Sequence, residues 1–436
     1  MIENDKGTPN VDEDRFLLYR TGGWSRSEDC LRVNVFTPAE PGNNGRKRAV
    51  MVYMHGGGFS GGSGNDLLSY DGENLARRHG VVVVTHNHRL NLFGYLNLAE
   101  LGGERYAASG NVGMLDIVAV LEWVRDNINQ FGGDPANVLV FGQSGGGAKV
   151  SALMAMPAAK GLFHRAAIQS GAMLRASATD NAPKVRRDGG RRARNFDEPV
   201  GQAPRATDEH AAGGAGWGPV VDGKILPAHP FDPAPPEISA HVPMLIGTCL
   251  NEIVNGTDNP ERDTLTEEIL SRRVSEKYKN KAGDIIAAYR KQYPNESSFG
   301  LWAAISAAAP RRNSITQAER QAARASAPVY MYLYAWRTPA LGGNIGTFHS
   351  SEIPFVFDNA SLCTNYSGGS SEALALSSKM CEAWASFART GKPSHGGLPA
   401  WPAYDAKSRA TMIFNTPCAI QNDPEGAGLR LIESSA

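Results

Sequence analysis

The chain has 436 residues, of which 42% are hydrophobic, and this is enough apolar material for a large core. Lys plus Arg and Asp plus Glu each number 44, so the formal net charge is zero, which gives no indication of a nucleic-acid or acidic-membrane partner. The five cysteines are scattered and have no C-x-x-C spacing, so the sequence predicts neither a metal cluster nor a dense disulfide framework.

The N-terminal segment, "MIENDKGTPNVDEDRF", is acidic and polar. It has no apolar region of the kind that a signal peptide needs. No apolar run approaches the ~20 residues of a membrane span. We therefore expect a soluble protein without a membrane span, and a cytoplasmic location.

Seven apolar runs predict strands, at residues 31–38, 49–55, 81–88, 137–142, 165–171, 243–248 and 329–336. Most of these runs are continuous rather than alternating. That pattern is typical of strands covered on both faces, as in a largely parallel sheet flanked by helices. We expect an α/β protein with residues 1–436 in a single domain.

Helices are predicted between these strands. From 114 to 131 the apolar residues recur at spacings of three and four, and "GGDP" is expected to stop the helix. Residues 263–327 are Ala-rich and charged, without a strand signal. We interpret them as a helical excursion from the sheet, forming part of a cap over a pocket.

Residues 183–216 are rich in Arg, Gly and Pro and lack apolar periodicity. The simplest interpretation is a solvated, irregular or disordered insertion. A basic contact patch for a polyanion is an alternative, although acidic residues are interspersed. The return of patterned sequence at "GPVVDG" is abrupt, so a shifted reading frame in this interval is a further hypothesis.

A G-x-S-x-G pattern occupies 142–146, after the strand at 137–142 and before the helical stretch "AKVSALMAM". Strand, sharp turn and helix are the context of the nucleophile turn in the α/β-hydrolase fold. Small neighbours are needed there because the serine lies in a strained bend. Ser144 is therefore the candidate nucleophile, and an ordinary Gly-rich loop is the alternative.

A serine hydroxyl needs a base, and in this fold the chain order is serine, acid, histidine. His349 follows the strand at 329–336 by a short loop. His395 lies in a polar turn and His164 precedes any candidate acid. His349 is the candidate base, and a structural histidine is the alternative.

The acid is expected just beyond the strand at 243–248. Glu252 is the nearest carboxylate, whereas Asp258 and Asp263 lie further along in more polar sequence. We therefore predict that Glu252 orients the base, with a solvated loop glutamate as the alternative.

The stretch "HGGGFSGG" at 55–62 ends the strand at 49–55. An H-G-G-G run at this place supplies the N–H donors of an oxyanion hole in lipases and esterases. Gly57, Gly58 and Gly145 are the predicted donors. A turn between strand and helix is the alternative.

These motifs resemble the type-B carboxylesterase family. The resemblance rests on the stretches "SEDCLRVNVFTP", "HGGGF", "NVGMLDIVAVLEWVRDNINQFGGDPANVLVFGQSGGG", "LFHRAAIQSG", "GPVVDGKILPAHPF", "VPMLIGTCLNE" and "FHSSEIPFVF". It implies that Ser144, Glu252 and His349 form the triad and that Gly57, Gly58 and Gly145 form the oxyanion hole.

Three departures accompany this resemblance. Only 26 residues precede Ser27, where the family usually has a longer segment. Cys30 has no upstream cysteine, although secreted members often pair this position. Gln143 stands where a glutamate is common, and it retains hydrogen-bonding capacity without a buried charge.

The expected function is a serine carboxylesterase that acts on a small-molecule ester and needs no metal or organic cofactor. Because the base must be neutral, activity should fall below about pH 6.5. Hydrolysis of amides, carbamates or lactones, or a catalytically inactive binding module, are the alternatives. Phe59 and the aromatic residues of "SSEIPFVF" could line the pocket or belong to the core, and an apolar lining would favour short to medium acyl groups. The sequence carries no indication of an oligomeric state.

Overall fold

The centre of the fold is a nine-stranded sheet, in a computed structural model that describes residues 27–39, 47–178, 216–253, 259–324, 326–343 and 345–435. The strands of the chain are β1 Val33–Phe36, β2 Arg48–Met54, β3 Val82–His86, β4 Gly133–Gln143, β5 Arg165–Gln169, β6 Ser177–Ala178, β7 Val220–Val221, β8 Met244–Cys249, β9 Val329–Tyr334, β10 Ala410–Phe414 and β11 Ala419–Asn422. The short strands β6 and β7 pair separately from the large sheet.

The strand order in the large sheet is β1-β3-β2-β4-β5-β8-β9-β10-β11. The seven strands from β3 to β10 run parallel to their neighbours, while β1 and β11 are antiparallel edge strands. The carboxyl ends of the parallel strands therefore meet at one edge of the sheet. In such sheets the crevice at that edge is where ligands bind.

The helices of the described residues are α1 Glu73–His79, α2 Asn91–Tyr95, α3 Ala99–Gly102, α4 Val112–Asn127, α5 Gly145–Leu153, α6 Glu267–Tyr278, α7 Ala282–Gln292, α8 Ser298–Ser306, α9 Ala308–Ala323, α10 Ile353–Val356, α11 Thr364–Ser367, α12 Ser371–Thr390 and α13 Gly426–Glu433. Within those residues no single helix has the length and apolar character to cross a membrane. The segments Ala99–Tyr106 and Ser109–Phe131 meet such criteria only jointly, and they meet at an 87° bend.

Hydrophobic clusters cover both faces of the sheet. Along β2, Val50 and Val52 belong to one cluster, while the alternate residues Met51 and Tyr53 belong to the other. All four are fully buried. This two-sided burial explains why the strands are continuous apolar runs, and it confirms the predicted mostly parallel sheet between helices.

All seven predicted strands are present. The predicted helix at 114–131 is α4, followed by a 3-10 turn at Ile128–Phe131, and it ends where Gly132 adopts a left-handed conformation with φ 77°. Strands β10 and β11 were not predicted.

Helices α6 to α9 occupy most of the predicted helical excursion between β8 and β9. Helix α9, the last of these, packs against helix α5, since Gln317 Nε2 on α9 donates to Ser151 Oγ on α5 at 3.1 Å. A cap over a pocket stays a prediction. Apart from Gly216, the irregular stretch predicted at 183–216 lies outside the described residues.

Candidate active site

Ser144 lies at the sharp turn between β4 and α5. Its backbone has φ 58° and ψ −125°, a region that residues with side chains rarely adopt. The turn is held because Ser144 N–H donates to Gln169 O at 2.8 Å, and Ala148 N–H donates to Ser144 O at 3.1 Å. A strained serine at the carboxyl end of a central strand is the geometry of a nucleophile elbow.

The glycines on either side of Ser144 are required by close backbone approach. A Cβ on Gly142 would lie 2.7 Å from Met54 O and 2.6 Å from Gly146 C, and a Cβ on Gly146 would overlap Met54 O. The turn therefore passes directly against the end of β2. Only residues without a side chain fit there.

Glu252 and His349 are hydrogen-bonded to each other, with 2.5 Å between His349 Nδ1 and Glu252 Oε2. The Glu252 side chain is only 2% exposed, whereas the imidazole is 27% exposed and reaches the surface of the site. The second carboxylate oxygen accepts from Cys249 N–H at 2.6 Å and from Ser170 Oγ at 2.5 Å. These donors fix the orientation of the carboxylate.

The imidazole of His349 faces the nucleophile elbow. When Nδ1–H donates to Glu252, Nε2 carries the lone pair. That nitrogen lies 3.3 Å from Gln143 Nε2, in the residue that precedes Ser144. The amide oxygen of Gln143 accepts from Ser350 Oγ at 3.0 Å, so the Gln143 side chain is held against the base.

A parallel bridge between Asn251 and Phe348 joins the loop of the acid to the loop of the base. Each bridge residue is the immediate neighbour of a candidate catalytic residue, Glu252 or His349. The acid and the base are thus held as a pair by backbone pairing between the two loops that carry them.

Glu352 is a second buried carboxyl group beside this pair, and sequence reasoning missed it. Its Oε2 accepts from Cys249 Sγ at 2.9 Å, and burial, followed by the negative charge of Glu252, raises its pKa. Ser170 and Asn251 were also missed. Their positions in the sequence could have indicated them, because Ser170 directly follows β5 and Glu352 lies three residues after His349.

The predicted oxyanion loop lies next to the elbow. Gly57 and Gly58 are exposed and have positive φ values of 81° and 61°. A Cβ on Gly145 would lie 2.5 Å from Gly58 Cα, and a Cβ on Gly56 would lie 3.6 Å from Ser144 Cβ. Gly58 and Gly56 of the predicted oxyanion loop therefore lie against the turn that carries Ser144 and Gly145.

The competing residues lie elsewhere. His164 Nδ1 accepts from Val138 N–H near the start of β5, and His395 Nε2 contacts Lys379 O on the surface. Asp263 pairs with its neighbour Arg262 in a largely exposed position. Asp258 lies outside the described residues.

The aromatic residues considered for the pocket are core residues. Phe59 is 7% exposed and packs edge-on against Tyr95, with 5.1 Å between ring centroids. Phe355 and Phe357 are buried in the cluster on the other face of the sheet. The three rings are therefore part of the hydrophobic core on the two faces of the sheet.

One surface cavity, of about 310 Å³, lies away from these residues and is lined by Pro328, Val329 and Tyr404 among others. Val329 begins β9, so the cavity is at the amino end of the sheet. Ligands of parallel sheets bind at the carboxyl ends. This cavity is therefore not the candidate active site.

Within the described ranges, no group of three His, Cys, Asp or Glu side chains is arranged to hold a metal ion. The candidate site consists of a serine, an imidazole, a carboxylate and backbone N–H groups. This set of groups is suited to acyl transfer.

Nearly the whole chain is similar to known enzymes that carry out acyl transfer from esters. Residues 3–201 and 191–430 match the Carboxylesterase family model. The para-nitrobenzyl esterase of Bacillus subtilis (strain 168) is 35% identical over 423 residues, covering 92% of this chain and 82% of that protein. The fumonisin B1 esterase of Sphingopyxis macrogoltabida is 31% identical, covering 94% and 76%.

Solved structures of esterases are also similar to this chain over most of its length. An esterase from Clostridium hathewayi, described as able to hydrolyse aliphatic aromatic polyesters, superposes with a TM-score of 0.80 at 31% identity, covering 97% of this chain and 85% of that chain. The carboxylesterase of Geobacillus stearothermophilus at pH 6.8 has a TM-score of 0.73 at 34% identity, covering 93% and 86%. The chain therefore belongs to the carboxylesterase family, with an α/β-hydrolase fold, and it is a carboxylic ester hydrolase.

Proposed function

We propose that the chain hydrolyses carboxylic esters through an acyl-enzyme on Ser144, with His349 as base and Glu252 as the residue that orients it. The observation that carries this proposal is the Glu252–His349 hydrogen bond of 2.5 Å, which directs the imidazole at the nucleophile elbow. Glu252 holds Nδ1 protonated, so Nε2 is free of a proton and can act as the base.

In the first half of the reaction His349 Nε2 takes the proton of Ser144 Oγ as the oxygen attacks the ester carbonyl. The resulting tetrahedral intermediate collapses, the C–O bond to the alcohol breaks, and the alcohol leaves with the proton from His349. Water then attacks the acyl-enzyme by the same route and releases the carboxylic acid.

The oxyanion of the intermediate is stabilised by the N–H groups of Gly57, Gly58 and Gly145. Of the backbone hydrogen bonds outside helices and strands in the described part of the chain, none uses the N–H of Gly57 or Gly58 as donor. Both residues are exposed, and Gly145 N–H lies at the start of α5, where helix N–H groups lack intrahelical partners. Preorganised donors of this kind supply much of the rate enhancement in acyl transfer.

We propose uncharged esters with short to medium acyl groups as substrates. No charged side chain among those described at the candidate site is placed to pair with a substrate: Glu252 is bonded to His349, and Glu352 is buried behind it. The para-nitrobenzyl ester and fumonisin activities belong to relatives, by their names.

The test is a series of p-nitrophenyl esters of increasing acyl length, assayed with the wild type and with Ser144→Ala, Glu252→Gln and Ser151→Ala. We expect Ser144→Ala to lose about 10⁴-fold or more in kcat and Glu252→Gln about 10⁴-fold. Ser151 lies on the same helix, fully buried, and its variant is the control for damage to α5.

A fluorophosphonate probe separates the alternatives. Labelling of Ser144 in the folded wild type, and its absence in Ser144→Ala, is the expected result. A folded wild type that neither turns over the esters nor takes up the probe would identify an inactive binding module. Faster turnover of matched amides, carbamates or lactones than of the esters would show that one of these bonds, and not the ester, is the preferred substrate bond.

A further inference from the structure

Lys149 is a fully buried lysine on α5, five residues after the nucleophile. Its Nζ donates to His55 O at 3.0 Å and to Gly58 O at 2.8 Å, and lies 5.4 Å from the centre of the Phe59 ring. Lysine is among the residues least often buried completely, because its amine loses hydration. An amine at this place therefore needs an explanation that apolar packing does not provide.

The two carbonyls that Lys149 contacts flank the predicted oxyanion donors. The Gly57 N–H belongs to the peptide unit that follows Gly56 Cα, and the Gly58 N–H belongs to the next unit. His55 O lies in the unit before this pair, and Gly58 O lies in the unit after it. One ammonium group thus holds both ends of the two-peptide segment that presents the donors.

The two inner carbonyls of the same segment also have partners. Gly56 O lies 2.8 Å from His55 Nδ1, and Gly57 O accepts from Ser60 N–H at 3.2 Å and from Gly61 N–H at 3.1 Å. Four consecutive carbonyls therefore point into the protein. In each of these peptide units the N–H group points away from the carbonyl and so toward the opposite side. Lys149 is the hydrogen-bond partner of two of the four carbonyls.

The space around Lys149 contains three buried imidazoles. His55 stacks on His88 with 4.7 Å between ring centroids, and His86 lies 5.5 Å from His88. Burial, and next the Lys149 charge, lowers the pKa of His55 and of His88, so they are neutral. The charge of Asp66 acts on the amine in the opposite sense.

Burial lowers the pKa of Lys149 to about 7, against the opposing effect of Asp66. Both forms of the amine can make the two observed bonds, since an ammonium has three N–H donors and a neutral amine has two. The contact with His55 O and Gly58 O does not depend on the protonation state.

We infer that Lys149 is a positioning residue for ester hydrolysis: it anchors the segment His55–Gly58 to the nucleophile helix α5 and thereby aims the Gly57 and Gly58 N–H groups at the oxyanion. This inference rests on the proposed function, because it assigns Lys149 a task in that oxyanion hole. These two hydrogen bonds also help to fix the position of the oxyanion loop relative to Ser144, because Lys149 is on the helix that begins directly after Ser144 and its partners are in the loop.

The test compares Lys149→Met, which keeps an unbranched apolar side chain as long as the lysine stem but has no donor, with Lys149→Gln, which keeps an N–H donor one bond closer to the backbone. Ser151→Ala again controls for disturbance of α5. Each variant is assayed with a p-nitrophenyl ester and with a trifluoromethyl ketone, which adds to the serine hydroxyl and forms a tetrahedral oxyanion. Active sites are counted by fluorophosphonate labelling.

For Lys149→Met we expect kcat per active site to fall by roughly 10- to 100-fold, less than for the outright loss of an oxyanion donor, with KM changed by no more than about twofold. The inhibition constant of the ketone should rise by the same factor as kcat/KM falls. Lys149→Gln should recover part of both losses.

Three outcomes overturn the inference. The first is a Lys149→Met variant with wild-type kcat and wild-type affinity for the ketone. The second is a lower melting temperature and fewer active sites with unchanged values per site, which indicates a purely structural role. The third is equal loss in Lys149→Gln and Lys149→Met. A wild type that neither hydrolyses esters nor binds the ketone would instead refute the proposed function.

Discussion

Asn251 and Thr347 make two hydrogen bonds with each other: Asn251 N–H donates to Thr347 O at 3.0 Å, and Thr347 N–H donates to Asn251 Oδ1 at 2.8 Å. The first residue directly precedes Glu252, and the second lies two residues before His349. Because both bonds are buried, they connect the two loops with little freedom. The distance between acid and base is therefore set by this connection as well as by their own hydrogen bond.

Replacement of Asn251 by Ala should weaken the pairing of acid and base. The change removes Oδ1 and leaves the buried Thr347 N–H without its acceptor, which costs about 1–3 kcal/mol. We expect a lower free energy of unfolding, measured by urea denaturation, and a lower kcat at similar KM. Asn415→Ala is the matched control, because its Oδ1 accepts from the next backbone N–H in an exposed loop. Equal kcat in both variants would contradict this role of Asn251.

Replacement of Gln143 by Glu should move the pH profile. The new carboxylate would lie beside His349 Nε2 and would favour the imidazolium, which raises the pKa of the base. Since the neutral imidazole is the active form, the acid limb of the kcat/KM profile should shift to higher pH by about one unit. The control is Gln143→Met, which removes the amide without adding charge, and its acid limb should not move upward. A shift to lower pH in Gln143→Glu would contradict the arrangement of these two side chains.

Two glycine-to-alanine changes should have opposite effects on stability. Gly146→Ala places a methyl group onto Met54 O, where the nearest atoms are all backbone atoms of Met54 and His55, so we expect a loss of about 3 kcal/mol or more, or no folded protein. Gly283 lies in α7 with open space around the position of its Cβ. Gly283→Ala should therefore stabilise the protein by roughly 0.5–1 kcal/mol. Thermal or chemical denaturation of the two variants checks both values, and similar effects from the two would contradict the close approach at the elbow.

His79 provides a pH dependence of stability. Its Nδ1 lies 2.8 Å from Glu382 Oε2, and its Nε2 lies 3.7 Å from Asp358 Oδ2. Burial acts to lower the pKa of His79, but the nearby carboxylates of Asp358 and Glu382, the second of them hydrogen-bonded to Nδ1, raise it above the usual value. The resulting stabilisation is fully present below the unfolded pKa of about 6.5 and is lost as the pH rises through the raised value.

His79→Gln should therefore destabilise the protein more at pH 6 than at pH 9, by roughly 1 kcal/mol, since hydrogen bonds to charged groups are the stronger ones. The free energy of unfolding of wild type and variant, measured at both pH values, checks this. A larger loss at pH 9 would contradict the direction given for the pKa of His79.

Much of the fold could be predicted because burial on both faces produces continuous apolar runs. The strands β2 to β5, β8 and β9 were predicted in this way, whereas the predicted strand β1 is a half-buried edge strand. The elbow was predictable because Gly142 and Gly146 have to be small where the turn passes Met54. Strand β11 was missed because it is a short edge strand, "AIQN", in which the last two residues are polar and exposed, so it has no apolar run.

The sequence by itself determined seven of the eleven strands of the described residues, the strained serine and, through chain order, Glu252 and His349 as its candidate partners. Only the tertiary structure decided that Gln143 lies against the imidazole, that Ser170 bonds to the acid, and that Lys149 reaches the oxyanion loop. Lys149 follows small residues in a helix and has no local feature that distinguishes it from a surface lysine. Its partners, His55 and Gly58, lie more than 90 positions away, and such contacts arise only when distant segments are packed together, so no local pattern encodes them.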